Sequence, residues 1–194
     1  PNSQANGVIP TINLSDIKEV IPNATYIVVT SYDYYNFSTP LKNEGYIGSS
    51  VSVFNLTSSS NNSVPYTITS NMFLLSNSIV ANETLQSLLF SNNANQSITG
   101  YVYNNTLRLN GKVENAKITF YTVSSVAVFN NSVISNVINA KENFTMPVFQ
   151  YTTIFSYKNY IGIVVVNGYH YSTTLQNDSI ELAKLLANKL TALK

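Results

Sequence analysis

YIGIVVVNGYHYSTTLQNDSIELAKLLANKLTALK, residues 160–194, is the stretch whose reading decides the fold. Tyr160 to Val166 is a short apolar run rich in β-branched residues, which reads as a strand. Asn167-Gly168 follows as a type I′ turn signal, so Tyr169 to Thr174 is expected to return as the second strand of a hairpin. Asp178, with Glu181 three residues on, gives a capping-box-like helix start. Leu182, Leu185, Leu186, Leu190 and Leu193 then recur at helical spacing as one amphipathic stripe. Lys189 and Lys194 stand at its end, where the helix dipole favours cations. A hairpin followed by a helix with one apolar face is the unit of an α+β domain.

Upstream, Leu14 to Ile21 reads as a short helix with Ser15 as N-cap and Pro22 as its stop. Strands are expected at Ala24–Tyr35, around Tyr26-Ile27-Val28-Val29, and at Gly48–Leu56, separated by a loop over 36–47 broken by Pro40 and Gly45. Residues 55–64 are rich in Ser and Asn and read as an exposed loop. Tyr66–Leu75 reads as a further strand. Asn82 is the expected cap of a helix over 83–91, carrying Leu85, Leu88 and Leu89. Ile98–Tyr103 and Thr106–Leu109 are expected to form a hairpin around Asn104-Asn105, with a second turn at Asn110-Gly111. Lys117–Thr122, Ser125–Phe129 and Met146–Phe155 are strand-like, and Asn130 or Asn131 is placed to cap a helix through Ala140. The expected fold is therefore α+β: an antiparallel sheet of hairpins with three or four helices covering one face. One domain is expected over 14–194, preceded by an extended N-terminal arm over 1–13.

Eleven Asn-x-Ser/Thr triplets punctuate these elements: Asn13, Asn23, Asn36, Asn55, Asn61, Asn82, Asn95, Asn104, Asn130, Asn143 and Asn177. The chain's 28 Asn and 42 Ser plus Thr would give about six by chance, so many are expected to be N-glycosylation acceptors facing solvent. That implies an extracellular or cell-surface protein, and the polar start Pro1-Asn2-Ser3-Gln4 is expected to follow removal of a signal peptide. No apolar run approaches the roughly 18 residues of a membrane span. Cysteine is absent, which excludes disulfides, thiol chemistry and Cys-based metal sites.

Only 10% of the residues are charged and the net charge is +1, so no nucleic-acid partner is implied. Acid unfolding acts largely by protonating native carboxylates. With nine Asp plus Glu there is little for acid to attack, and the protein is expected to be acid-stable. A sugar-coated, Cys-free, charge-poor chain rich in Asn, Ser, Thr and Tyr resembles by composition the exported cell-surface proteins of thermoacidophilic crenarchaea.

Residue types that carry catalysis are sparse. His170 is the single histidine, without a second His or a Cys for a triad or a metal centre. Asp33 and Glu44 flank one loop and are the candidate carboxylate pair for a hydrolase; Asp16, Glu83, Asp178 and Glu181 stand at expected helix starts. Calcium-loop, nucleophile-elbow and phosphate-loop motifs are absent. No enzyme, cofactor or metal is expected. Of the fourteen Tyr, Tyr32, Tyr34 and Tyr35, Tyr101 with Tyr103, and Tyr169 with Tyr171 cluster as stacking surfaces for sugar or protein, against the simpler reading that Tyr suits a pleated face. Val8, Ile9 and Ile12 on the N-terminal arm are the expected assembly anchors, able to add a strand to a neighbour's sheet or to pack within their own domain. The sequence thus points to a non-enzymatic, glycosylated surface protein that self-associates or meets other cell-surface proteins. The alternatives are an extracellular binding module, or accessory subunit of a membrane complex, and a carboxylate-dependent hydrolase.

Overall fold

In the computed structural model, which describes residues 8–61, 63–93, 103–130 and 145–193, an antiparallel sheet organises the chain. The order is α1 (Leu14–Val20), β1 (Ala24–Tyr34), α2 (Thr39–Asn43), β2 (Tyr46–Ser59), β3 (Thr67–Leu75), α3 (Ser78–Asn93), β4 (Tyr103–Val113), β5 (Ala116–Asn130), β6 (Thr145–Tyr157), β7 (Tyr160–Gly168) and α4 (Thr173–Thr191). The seven strands lie in the order β1-β2-β3-β7-β6-β5-β4. Two meanders, β1 to β3 and β4 to β7, are joined where β7 pairs with β3.

The apolar run of β7 explains its central place. Val164 and Val166 are fully buried in the core that also holds Leu175, Leu182, Leu186 and Leu190 of α4 and Ile17 of α1. On the opposite face, Ile161 joins Leu75, Ile154 and the α3 residues Ala81, Leu85 and Leu89. A strand apolar on both faces needs cover on both. Helices accordingly lie on both sides of the sheet, which corrects the expectation that they share one face. Each fully buried aliphatic side chain contributes about 1.5–3 kcal/mol. Gly162 is required by the packing: a Cβ there would come within 2.3 Å of the Phe155 ring.

Asn167-Gly168 is not a turn. Both residues pair with β6, and Asn167 also pairs with Thr67 of β3. The Asn167 amide donates to Thr67 Oγ1 at 2.8 Å and its Oδ1 accepts from Gln150 Nε2 at 3.0 Å, so side-chain bonds hold it in the strand. The β6–β7 turn falls instead at Lys158, with φ of 52°, and the β4–β5 turn at Glu114, with φ of 49°. Asn110-Gly111 likewise lies inside β4, as does Asn104-Asn105, and residues 116–130 form one strand rather than two.

Caps also shift. Asn13, not Ser15, caps α1: its Oδ1 accepts from the backbone N–H groups of Ser15 and Asp16, and Asp16 Oδ2 accepts from Asn13 N–H at 2.7 Å. Asn77 accepts from Ile79 and Val80 at the start of α3, leaving Asn82 inside that helix. Ser172 caps α4, so residues 169–174 are not a strand and Asp178 lies within the helix. A short helix, α2, interrupts the expected loop over 36–47, and β2 runs on to Ser59 through part of the expected loop over 55–64. The expected helix after Asn131 lies outside the described residues.

The N-terminal arm is also corrected as far as it is described. Ile9 and Ile12, at 4% and 1% exposure, belong to the core of their own chain, and only Val8 faces solvent. Lys189 of α4 donates to the Thr11 carbonyl at 3.0 Å and pairs with Asp16 at 2.5 Å, fastening the segment to α1 and α4. Packing in the same chain carries none of the translational entropy cost of association. Residues 8–13 therefore belong to the domain.

Candidate functional site

Exposed asparagines fall both inside and outside sequons, Asn43, Asn77, Asn110 and Asn115 being exposed without one. Every sequon asparagine whose side chain is described is exposed: Asn13, Asn23, Asn36, Asn55, Asn61, Asn82 and Asn177. By contrast Asn71, Asn159 and Asn167 are partly buried, and Asn159 and Asn167 serve the sheet through side-chain hydrogen bonds. Asn104 and Asn130 lie on β4 and β5, while Asn95 and Asn143 lie outside the described residues. Exposure is what glycosylation requires of an acceptor.

Asp33 on β1 and Glu44 after α2 are both exposed, Asp16 is paired with Lys189, and Glu181 meets Lys184 on the surface. Among the described residues no group of three or more His, Asp or Glu is placed to hold a metal. Asp178 stands apart. It is 7% exposed, its Oδ2 has no hydrogen-bond partner, and burial pushes its carboxyl up to about 7. Its charge and, more strongly, burial raise the phenol of Tyr26, whose hydroxyl donates to the Pro65 carbonyl at 2.7 Å. Carried on the buried side of α4, this carboxyl bears on stability.

The tyrosines separate. Tyr32 and Tyr34 are exposed on β1, two residues apart. Tyr34 starts an aromatic chain through Phe37 and Tyr46 to Phe73, with successive centroids 5.1, 5.6 and 5.7 Å apart. Tyr35 is half-buried. Tyr101 and the side chain of Tyr103 lie outside the described residues. Tyr169 and Tyr171 do not share a strand face. Tyr169 stacks on Tyr66 at 4.2 Å and 10°, whereas Tyr171 meets Phe149 edge-on at 6.1 Å. His170, exposed between them, borders a cavity of about 410 Å³ with Tyr66, Tyr169, Ser59 and Asn61.

The least expected surface is β1. It ends the sheet, so its outer edge has no strand partner among the described residues. Ile27, Val28, Val29 and Tyr32 are 45–53% exposed, and Asp33 is the one charge between Ala24 and Tyr34. Edge strands are commonly protected by Lys, Pro or bulges. β1 has bulges near Tyr26 and at Val29 but neither Lys nor Pro. An apolar groove of about 390 Å³ runs beside it between α1 and β2, lined by Ile12, Leu14, Val28 and Phe54 and edged by the hydroxyl string Thr11–Ser52–Ser31 at 2.9 and 3.1 Å. Residues 26–29 read in sequence as the centre of a strand, and strand order, which is non-local, put them at the margin.

α4 packs its leucines onto the sheet, and among the described residues no helix is long and apolar enough to cross a membrane. No protein-family model and no curated protein matches the chain. Its fold is similar to that in the crystal structure of the extracellular domain of PknH from Mycobacterium tuberculosis. The TM-score is 0.50 at 8% identity, over 91% of this chain and 92% of that one. At that identity the likeness is one of fold.

Proposed function

We propose that this chain is an extracellular, N-glycosylated, non-enzymatic surface protein that works by contact, associating with its own copies through the edge of β1. The observation that carries this reading is the uncovered apolar edge, Ile27 to Tyr32, on a domain whose described sequon asparagines are all exposed. Exposed sequons support the compartment, and the fold shared with an extracellular domain agrees with it. Asn55 lies opposite Ile27 in the strand register. A glycan there projects from the sheet face and leaves the in-plane hydrogen-bonding edge of β1 open. Strand addition at such an edge supplies main-chain hydrogen bonds, with side chains on both faces giving specificity.

Sedimentation velocity on the glycosylated protein over a hundredfold concentration range is the test. Reversible association is expected, and Ile27→Lys with Val29→Lys should abolish it while circular dichroism stays unchanged. A monomer at every concentration, or association indifferent to the two lysines, would end the reading. Purification together with other surface proteins in place of self-association would favour a binding module.

A further inference from the structure

We propose that the cavity beside Tyr169 is the seat of the protein's own glycan at Asn61, with the first sugar lying against the Tyr66–Tyr169 stack. This rests on the glycoprotein reading above. Asn61 begins the sequon Asn61-Asn62-Ser63 and borders the same cavity as Tyr66, Tyr169 and His170. Asn61 bonds with its described neighbours: Asn61 N–H donates to Ser59 Oγ at 2.9 Å, Ser59 Oγ donates to the Asn61 carbonyl at 2.8 Å, and Ser63 N–H donates to Asn61 Oδ1 at 2.9 Å. The last of these bonds engages the side-chain carbonyl oxygen and not Nδ2, the atom that carries a glycan.

The opposite wall suits a sugar. A pyranose presents C–H bonds on its faces and hydroxyls around its rim, and an aromatic face is the negative part of a quadrupole that attracts such C–H groups. Parallel stacking covers one face of each tyrosine, and Tyr169 is 43% exposed. The pair holds its own geometry, so little side-chain freedom is lost when a sugar docks. His170 and Ser58 also line the cavity and can meet the sugar's hydroxyls. The cavity, at about 410 Å³, has room for a first sugar and part of a second. Asn13 and Asn82 also border cavities, but neither of those has an exposed aromatic ring among its lining residues. An Asn61 glycan should therefore be ordered and stabilising where the others are solvated.

The test uses the full chain expressed in an N-glycosylating host, with glycopeptide mass spectrometry for occupancy and endoglycosidase trimming to the first sugar. Occupancy at Asn61, nuclear Overhauser contacts from the sugar's ring protons to the Tyr169 ring, and a melting temperature about 3 °C above that of Asn61→Gln are expected. Ser63→Ala, which removes the sequon without touching Asn61, should give the same loss, and Asn55→Gln should not. In a Tyr169→Ala background, Asn61→Gln should cost nothing further. If other sequons are occupied and Asn61 is bare, or if Asn61 carries sugar without contacts or stabilisation, the proposal fails and the glycoprotein reading stands. If every sequon is bare, both fail. If the unglycosylated chain binds added oligosaccharide at Tyr169, the cavity serves an external sugar and the proposal is overturned.

Discussion

Two strands carry nearly the same run, Ile27-Val28-Val29 in β1 and Ile163-Val164-Val165 in β7, and meet opposite fates. In β7, Val164 is fully buried between β3 and β6, and the neighbouring Ile161 is fully buried beneath α3. In β1, Ile27, Val28 and Val29 are 53%, 45% and 53% exposed on an edge. A β-branched run specifies a strand, but strand order decides whether it becomes core or surface. The same residues therefore serve stability in the middle of the sheet and are available for contact at its margin.

The largest difference should appear on truncation. Ile161→Ala removes a side chain with no exposure from a packed core and should cost about 3–4 kcal/mol. Ile27→Ala, at 53% exposure, should stay within about 0.5 kcal/mol. Urea denaturation of the dilute protein measures both, and equal losses would erase the contrast between the strands.

A second effect comes from α4, which covers the central strands. Asp178 is held up to about 7 by burial, from an ordinary value of 3.8. Between about pH 4 and 7 the folded chain keeps a proton that the unfolded chain has lost, so stability is greatest at the acid end and falls as pH rises through that window. A rise of that size corresponds to a fall of at most about 4 kcal/mol, and Asp178→Asn should flatten it. Denaturation curves at successive pH values for both proteins check this, and a wild-type curve parallel to that of the variant would contradict it.

Smaller still is the cap of α1, beside β1. Asn13→Ala in the unglycosylated protein should cost about 1 kcal/mol. A loss of several kcal/mol on thermal unfolding would mean that the margin of the sheet is as critical as its centre.

The sequence located most strands and both flanking helices, because apolar runs such as Ile161–Val166 and the leucines of α4 are strong local signals. Turns and caps were harder. Asn, Ser and Thr are so frequent that cap-like residues precede every helix, and Asn77 and Ser172 were passed over for Asn82 and Asp178. Asn-Gly pairs misled for a different reason: Gly111 and Gly168 make room for the side chains of Phe120 and Leu175 within strands, while Glu114 and Lys158 take the left-handed turn positions. Of the candidate site, sequon exposure was legible from chemistry alone. The Tyr66–Tyr169 stack joins residues about a hundred positions apart, and the edge location of β1 follows from pairing across the whole chain. Neither leaves a local mark.

Hydrogen exchange by mass spectrometry, on dilute and on concentrated glycosylated protein, tests the contact role of β1 most directly. Peptides covering Ile27 to Tyr32 should exchange quickly in the dilute sample and become protected on concentration, while those covering Ile161 to Val166 stay protected in both. Exchange in β1 that is unchanged by concentration, or protection that appears elsewhere and leaves β1 open, would contradict it.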